Sequence, residues 1–224
     1  MRAFFVTSTG TDIGKTYVAC GLISHWRARG RKVGAFKPLL SGFDPAQVVE
    51  SDAGRLLTAL GQPVDAQSLD EISPWRYAAA ISADAAAAKE GKQVEYHAVL
   101  AASRTFLQGG HDFALIEGAG GVMAPLSEDR TMLDFAVDLN IPAILVVGSY
   151  LGTLSHSLTA LSILEARQVP VALIVMNETA DSTVPLADNA LALARRWSSV
   201  PVRALPRNAS PQAMAAIAEF PLAG

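Results

Sequence analysis

The sequence predicts an α/β protein of three layers, in which helices cover both faces of a parallel β-sheet. Short apolar segments of strand length recur along the chain and alternate with longer segments of helical periodicity. The short segments are continuously apolar, as expected of strands that are buried on both faces. Five of them are pronounced and a sixth is weaker: residues 3–6, 33–36, 113–116, 143–147 and 171–176, and then residues 202–205.

Helices are predicted between the strands, because apolar side chains there recur every three or four residues along one stripe. Gly30 ends the first helix as a C-cap glycine, and Pro142 precedes a strand at a point where a helix cannot continue. Residues 78–88 are rich in alanine, which favours a helix, although Ser82 and Asp84 could cap or interrupt it. The other predicted helices are residues 15–29, 52–60, 94–109 and 154–166.

The composition predicts one domain, residues 1–224, with a large core. Half of the residues are apolar and 17% are charged, which excludes disorder as the main feature. The net charge of −3 and the lack of a basic run argue against nucleic acid as a partner. A single cysteine, Cys20, excludes an intrachain disulfide, and four scattered histidines argue against structural zinc. No apolar run resembles a secretory signal or a membrane span, so we expect a cytoplasmic protein without membrane attachment.

A phosphate loop is predicted at residues 9–16, which follow the first strand and open the first helix. Gly14 permits close approach of a phosphate chain, Lys15 can bind the outer phosphates, and the Thr16 hydroxyl can bind Mg²⁺. The match to GxxxxGK[ST] is imperfect, because Thr9 stands where the first glycine is required. A glycine turn that only opens a helix is the alternative. The order of strand, loop and helix favours nucleotide binding in a fold like that of the P-loop nucleotide hydrolases.

Charged residues at the ends of two other strands could reach the same ligand. Glu117 ends the third apolar segment, and its carboxylate could bind Mg²⁺. Lys37 ends the second segment, where an ammonium group could stabilise a phosphoryl group during transfer. Asp52 begins a predicted helix and could be a third metal ligand. The alternatives are a solvated acid for Glu117, a surface lysine for Lys37 and a helix cap for Asp52.

Several blocks together resemble the dethiobiotin synthetase family. They are Lys15, the KPLLSG block at residues 37–42, the SDA block at 51–53, the EGAGG block at 117–121 and the VGSYLGT block at 147–153. The second and fourth blocks in combination are specific to that family, whereas the phosphate loop alone is shared by many nucleotide hydrolases. The resemblance extends from Phe4 to about Asn208.

The resemblance implies an ATP- and Mg²⁺-dependent cyclo-ligase of biotin biosynthesis. The family joins CO₂ to 7,8-diaminononanoate and forms dethiobiotin, ADP and phosphate. An amine captures CO₂ as a carbamate, a carbamate oxygen attacks the γ-phosphate, and the second amine displaces phosphate as the ring closes. No covalent intermediate with the enzyme is needed, so catalysis consists mostly of positioning and charge stabilisation.

The resemblance also assigns roles to residues. Lys15 and Lys37 flank the transferred phosphoryl group, and Thr16, Asp52 and Glu117 form the Mg²⁺ site. Further nucleotide contacts are implied at Asp12, Ile13, Gly14, Tyr17, Gly118, Ala119, Gly120, Asn177, Leu205, Pro206 and Arg207. Contacts to the diamine are implied at Ser41 and Gly118, and at Thr153, Leu154 and Ser155 of a second subunit, so a homodimer is expected.

The sequence departs from the family pattern at three places, and one rival class remains. One residue instead of three separates Asp12 from Gly14, Ser82 begins a block that differs from Ser-Pro-His, and Ser155 replaces a frequent asparagine. The rival is a MinD- or ParA-like ATPase that acts as a switch through partner binding. Gly10 stands at the position of its signature lysine, and residues 211–224 contain no basic residue for a membrane-binding helix. A nucleotide-binding module without catalytic activity is a further alternative.

Overall fold

A six-stranded parallel sheet forms the centre of the computed structural model, which describes residues 1–180 and 182–220. The strands in these ranges are β1 (Arg2–Ser8), β2 (Val33–Phe36), β3 (Leu39–Ser41), β4 (Trp75–Tyr77), β5 (Phe113–Glu117), β6 (Ala143–Gly148), β7 (Val171–Asn177) and β8 (Val202–Leu205). The order in the central sheet is β2-β5-β1-β6-β7-β8, and β3 pairs with β4 in a separate parallel ribbon.

Helices cover both faces of the sheet and enclose two apolar layers. They are α1 (Lys15–Ala28), α2 (Asp52–Leu60), α3 (Ala66–Ile72), α4 (Ala83–Lys89), α5 (Tyr96–Leu107), α6 (Met132–Leu139), α7 (Thr153–Ala166), α8 (Leu186–Arg196) and α9 (Pro211–Ala218). Phe4 and Val6 of β1 pack in the layer with α1, α2 and α9, whereas Phe5 packs in the opposite layer with α5 to α8. Successive side chains therefore serve opposite faces, as the continuously apolar strands predict.

The predicted fold class is confirmed, with differences at the ends of the elements. All six predicted strands are present, and α5 is shorter than the predicted helix at residues 94–109. In the alanine-rich segment the helix begins only at Ala83, after Ser82 as the N-cap residue. The short strands β3 and β4 and the helices α3, α6, α8 and α9 were not predicted. Residues 221–224 of the chain end lie outside the described residues.

Side-chain caps fix where several helices begin. The Ser51 hydroxyl accepts a hydrogen bond from the Gly54 N–H and caps α2. Thr131 and Asp134 form a capping box at the start of α6. Among the residues described, none of the helices is long and apolar enough to cross a membrane.

Strand register brings the ends of three neighbouring strands together. In the parallel pairs, Val6 of β1 lies beside Glu117 of β5, and Phe36 of β2 lies beside Ile116. Lys37 directly follows Phe36, so it emerges next to Glu117 at the carboxyl edge of the sheet. The phosphate loop leaves β1 at the same edge, where ligands of open α/β sheets usually bind.

Candidate active site

The phosphate loop, residues 9–16, is fixed by its glycine and by the end of β7. Gly14 has a φ of 101° and precedes the first residue of α1. A Cβ atom at this position would lie 2.3 Å from Nδ2 of Asn177, so glycine is required for space as well as for conformation. Asn177 donates from Nδ2 to the Ile13 carbonyl at 2.9 Å. The loop is thus held open at the N-terminus of α1, where phosphates bind.

Lys37 forms a buried charge cluster with Asp52 and Glu117. Its Nζ lies 2.6 Å from Oε1 of Glu117 and 2.7 Å from Oδ2 of Asp52. Lys37 and Glu117 are 2% and 1% exposed, so the interpretations of a surface lysine and a solvated acid are wrong. Burial alone would lower the pKa of the Lys37 ammonium group, but the two carboxylates outweigh it and raise the pKa. Lys37 therefore remains positively charged in the cluster.

Asp52 does not cap its helix. The cap of α2 is the hydroxyl group of Ser51, which leaves the carboxylate of Asp52 directed to Lys37. Burial favours the neutral acid, yet the charge of Lys37 and hydrogen bonds from Lys37 and Thr16 lower the pKa of Asp52. Asp52 is therefore an ionised member of the charge cluster.

The oxygen atoms around this cluster fit Mg²⁺. Thr16 donates from Oγ1 to Oε1 of Glu117 at 2.7 Å, so a hydroxyl and two carboxylates meet at one place. The second carboxylate oxygen of Glu117 is buried without a hydrogen-bond partner among the described residues. Mg²⁺ prefers such hard oxygen ligands and usually takes the rest from phosphates and water. Residues 1–180 and 182–220 contain no cluster of three or more His, Cys, Asp or Glu side chains that could hold a metal ion. Mg²⁺ does not require such a cluster, because phosphates and water supply its remaining ligands.

Lys15 is folded back onto its own loop. Its Nζ donates to the Ser8 hydroxyl at 3.1 Å and lies 3.3 Å from the Gly10 carbonyl oxygen. Burial, and then the nearby charge of Lys37, lower the pKa of Lys15 to about 8. The sequence did not single out Ser8, because a serine that ends a strand carries no signal for contact with a lysine seven residues later.

The loop after β5, residues 118–121, packs directly on the phosphate loop and is called the glycine loop below. A Cβ atom on Gly121 would lie 3.1 Å from the Gly10 nitrogen, and one on Gly118 would lie 2.8 Å from Cζ of Phe5. Gly120 has a φ of 64°, which favours glycine. Gly121 therefore allows the backbones of the two loops to touch, and Gly118 leaves room for the Phe5 ring.

A cavity of about 1060 Å³ connects the predicted phosphate and diamine residues. Lys15, Lys37, Ser41 and Asp52 all line it, and Glu117 lies behind them in contact with Lys37 and Thr16. Its wall also includes the predicted residues Asp12, Gly14, Thr16, Tyr17, Ala119 and Gly120. The structure thus brings most of the predicted phosphate and metal residues to one place, together with Ser41 of the predicted diamine residues.

Some cavity residues were not predicted. Arg55 projects from α2, Met123 follows the glycine loop, and His156, Thr159 and Ile163 lie on α7. The ring of His156 shares a hydrogen bond with the Tyr150 hydroxyl at 2.8 Å. Helical spacing alone could have placed His156, Thr159 and Ile163 on one face of α7.

The residues implied to contact the diamine from a second subunit, Thr153, Leu154 and Ser155, lie on the first turn of α7, outside the cavity wall. Thr153 is buried and donates from Oγ1 to the Gly148 carbonyl at 2.5 Å, and its N–H donates to the Tyr150 carbonyl. Among the described residues, the N–H groups of Leu154 and Ser155 have no hydrogen-bond acceptor. Two donors at this helix N-terminus are therefore open to an anion.

Four residues implied as nucleotide contacts lie at the ends of β7 and β8, also outside the cavity wall: Asn177, Leu205, Pro206 and Arg207. The Leu205 side chain is fully buried, and the Leu205 carbonyl accepts from the Glu178 N–H at 2.9 Å. Glu178 in turn accepts from the Arg207 N–H at 2.8 Å, and Pro206 lies between these two contacts in sequence. Asn177 retains its side-chain oxygen as a free acceptor among the described residues, because the bond to Ile13 uses Nδ2.

Comparison with protein families and curated proteins gives a consistent result. Residues 2–219 match the family model described as an AAA domain. An ATP-dependent dethiobiotin synthetase BioD of Phenylobacterium zucineum is 46% identical over 93% of this chain and 90% of its own length. A protein of the same name from Caulobacter vibrioides is 46% identical over 88% of this chain and 88% of its own length. Another, from Acidiphilium cryptum, is 41% identical over 90% of this chain and 91% of its own length.

Solved structures share the fold at low sequence identity. The signal recognition particle receptor FtsY of Elizabethkingia anophelis is 12% identical to this chain, with a TM-score of 0.56. The matched region includes all of this chain and 62% of the FtsY chain. The MinC:MinD cell division complex of Aquifex aeolicus is 11% identical with a TM-score of 0.55, over 95% of this chain and 83% of its own. These likenesses concern the fold alone, whereas the curated relatives share sequence over nearly the whole chain. The chain therefore belongs to the family of ATP-dependent dethiobiotin synthetases.

Proposed function

We propose that this chain forms dethiobiotin from 7,8-diaminononanoate, CO₂ and ATP with Mg²⁺, and releases ADP and phosphate. The observation that carries the proposal is the charge cluster of Lys37, Asp52 and Glu117, which lies at the end of a phosphate loop and shares one cavity with Ser41. The curated relatives supply the reaction class through their name.

The residues of the chain divide the work between phosphate binding and diamine binding. The N–H groups at the start of α1 and the ammonium group of Lys15 bind the phosphate chain. Thr16, Asp52 and Glu117 hold Mg²⁺, which neutralises phosphate charge when it is bound. Ser41 lines the same cavity and contacts the diamine or its carbamate.

The reaction needs no protein nucleophile. One amine of the diamine adds to CO₂ and loses a proton to give a carbamate, and a carbamate oxygen attacks the γ-phosphorus of ATP as ADP leaves. The second amine then attacks the carbamoyl carbon and phosphate leaves with its oxygen, which closes the ring. Lys37 stabilises the negative charge on the transferred phosphoryl group, and the cavity holds the reacting groups near attack geometry.

A direct product assay tests this function. Purified protein is incubated with diamine, bicarbonate and MgATP, and dethiobiotin is detected by mass spectrometry, with omission of each component as a control. We expect product only in the complete mixture and a much lower kcat for Lys37→Ala, with Lys92→Ala as the matched surface control. Release of phosphate that does not depend on diamine and bicarbonate would instead favour an ATPase switch.

We also propose that two chains share each diamine site. The open N–H groups of Leu154 and Ser155 suit the substrate carboxylate, but they lie outside the cavity wall of their own chain. The neighbouring Leu151 is 80% exposed, which leaves its side chain free to contact another chain. Sedimentation over a range of protein concentrations tests this arrangement, and a monomer with full activity would contradict it.

A further inference from the structure

Ser8 lies at the junction of three parts of the candidate active site. It is the last residue of β1 and is fully buried. Its hydroxyl group donates to the Gly10 carbonyl at 2.5 Å and lies 3.2 Å from the Gly120 carbonyl of the glycine loop. The same oxygen accepts a hydrogen bond from Nζ of Lys15 at 3.1 Å. One side chain therefore touches the phosphate loop, the glycine loop and the lysine.

The main chain of Ser8 strengthens this junction. The Ser8 carbonyl accepts from the Val122 N–H at 2.9 Å, and the next residue, Thr9, donates from its N–H to the Val146 carbonyl at 3.2 Å. The backbone is thus anchored to the segment after β5 on one side and to β6 on the other. The hydroxyl group of Ser8 has little freedom to move away from Gly10.

The contacts of Ser8 bear on what Lys15 must do when a nucleotide binds. In this structure Lys15 contacts the Gly10 carbonyl at 3.3 Å as well as the Ser8 hydroxyl. A P-loop lysine binds the outer phosphates, so Lys15 has to turn away from both groups. The Gly10 carbonyl then keeps one donor, the Ser8 hydroxyl group, and does not become an unpaired polar group.

We infer that Ser8 is a positioning residue for ATP: its hydroxyl group holds the Gly10 carbonyl and thereby releases Lys15 to the phosphates. The inference rests on the ATP site of the proposed function. Two effects of Ser8 oppose each other, since the hydroxyl also accepts a hydrogen bond from Lys15 in the resting state. The bond to Gly10, at 2.5 Å, is shorter than the bond from Lys15, at 3.1 Å, and the ammonium group of Lys15 gains the phosphates as partners when it leaves Ser8, so the bond to Gly10 decides the outcome.

Binding of a non-hydrolysable ATP analogue with Mg²⁺, measured by isothermal titration calorimetry, tests the inference. Loss of one buried hydrogen bond corresponds to about a fivefold to tenfold change in affinity. We expect Ser8→Ala to weaken analogue binding by about this factor, to raise KM for ATP similarly, and to leave KM for the diamine unchanged. Ser8→Thr keeps the hydroxyl group and is expected to recover most of the affinity.

Ser103→Ala is the matched control. Ser103 is also fully buried, and its hydroxyl donates to the Val99 carbonyl at 2.8 Å within α5, away from the phosphate loop. This variant removes the same atom and one hydrogen bond, so it reports the general cost in stability. We expect it to bind the analogue as the unaltered chain does.

The possible outcomes separate clearly. Unchanged or tighter analogue binding by Ser8→Ala, or equal weakening by Ser103→Ala, overturns the inference. If Ser8→Ala does not fold, Ser8→Cys replaces it, because a thiol fills the space of the hydroxyl group but is a weak hydrogen-bond donor. The Cys and Thr variants are then compared, and equal affinity of the two for the ATP analogue overturns the inference. A chain that binds the analogue but forms no dethiobiotin refutes the proposed reaction and leaves the role of Ser8 standing.

Discussion

Removal of the Lys37 ammonium group is the sharpest perturbation of the charge cluster. Lys37→Met keeps an unbranched apolar side chain of similar length but leaves two carboxylates without their cation. Breaking a buried ion pair by removal of one partner costs about 3 to 5 kcal/mol. Glu117 is almost fully buried whereas the Asp52 side chain is 37% exposed, so the lower end of that range, about 3 kcal/mol, applies.

Thermal unfolding by circular dichroism without nucleotide or Mg²⁺ measures this cost. For a chain of this size, each kcal/mol shifts Tm by about 2 to 4 °C, so Lys37→Met is expected to lower Tm by about 6 to 12 °C. Lys92→Met is the matched control, because Lys92 pairs with Glu90 at 2.8 Å but its side chain is 60% exposed. Such an exposed pair contributes at most about 1 kcal/mol.

Two further measurements identify the cause of the loss. Glu117→Gln in the Lys37→Met background removes the buried negative charge that has lost its cation, so the double variant should unfold at a higher temperature than Lys37→Met alone. Mg²⁺ should also raise the Tm of Lys37→Met more than that of the unaltered chain, because it can replace the missing cation. Equal shifts in Tm for Lys37→Met and Lys92→Met would refute the reasoning.

Two other predictions concern the metal ligands and the pH dependence of stability. Glu117→Gln should raise the Mg²⁺ concentration needed for half-maximal dethiobiotin formation, because an ionised ligand is lost; an unchanged Mg²⁺ titration would remove Glu117 from the metal site. Burial, and then the charge of Arg29, lower the pKa of His25 despite the opposing effect of Glu219. As the pH falls below about 6.5, the unfolded chain therefore binds a proton at His25 more readily than the folded chain does, and acid destabilises the fold. Tm should fall less between pH 7 and pH 5 in His25→Gln than in the unaltered chain, and parallel curves of Tm against pH would contradict this.

The sequence predicts the part of the fold that depends on strong local patterns. Continuous apolar runs marked every strand of the central sheet, because strands covered on both faces need apolar residues at every position. The strands β3 and β4 are only three residues long and lack such a signal. The segments around them are joined by hydrogen bonds between distant residues, from the Trp75 N–H to the Pro38 carbonyl and from the Lys37 N–H to the Ile72 carbonyl. Strand order was also out of reach, because β1 pairs with segments more than a hundred residues away.

The candidate site was predictable where chain position determines which edge of the sheet a residue faces. Lys37 and Glu117 each end a parallel strand, and parallel strands present their carboxyl ends at one edge, so the pattern predicted that both lie at this edge. Their direct contact depends on β2 and β5 being neighbours, which the structure shows. The role of Asp52 did not follow, because both Ser51 and Asp52 are good N-cap residues and only the structure decides that Ser51 is the cap. Ser8 was missed because its partners Gly10, Lys15 and Gly120 meet only after two loops fold against each other.

The charge balance of the site suggests which form of the nucleotide it accepts. In the charge cluster one ammonium group faces two carboxylates, and the nearby ammonium group of Lys15 is a second cation close to them. One carboxylate oxygen of Glu117 has no hydrogen-bond partner among the described residues. A free triphosphate would add more negative charge to this place, at a cost that low polarity increases. A nucleotide bound with Mg²⁺ would instead bring a cation to Asp52 and Glu117, the two carboxylates that hold Lys37 in this structure. Lys37 would then be available to the phosphoryl group, so metal binding and the action of the lysine would be linked through the same two carboxylates.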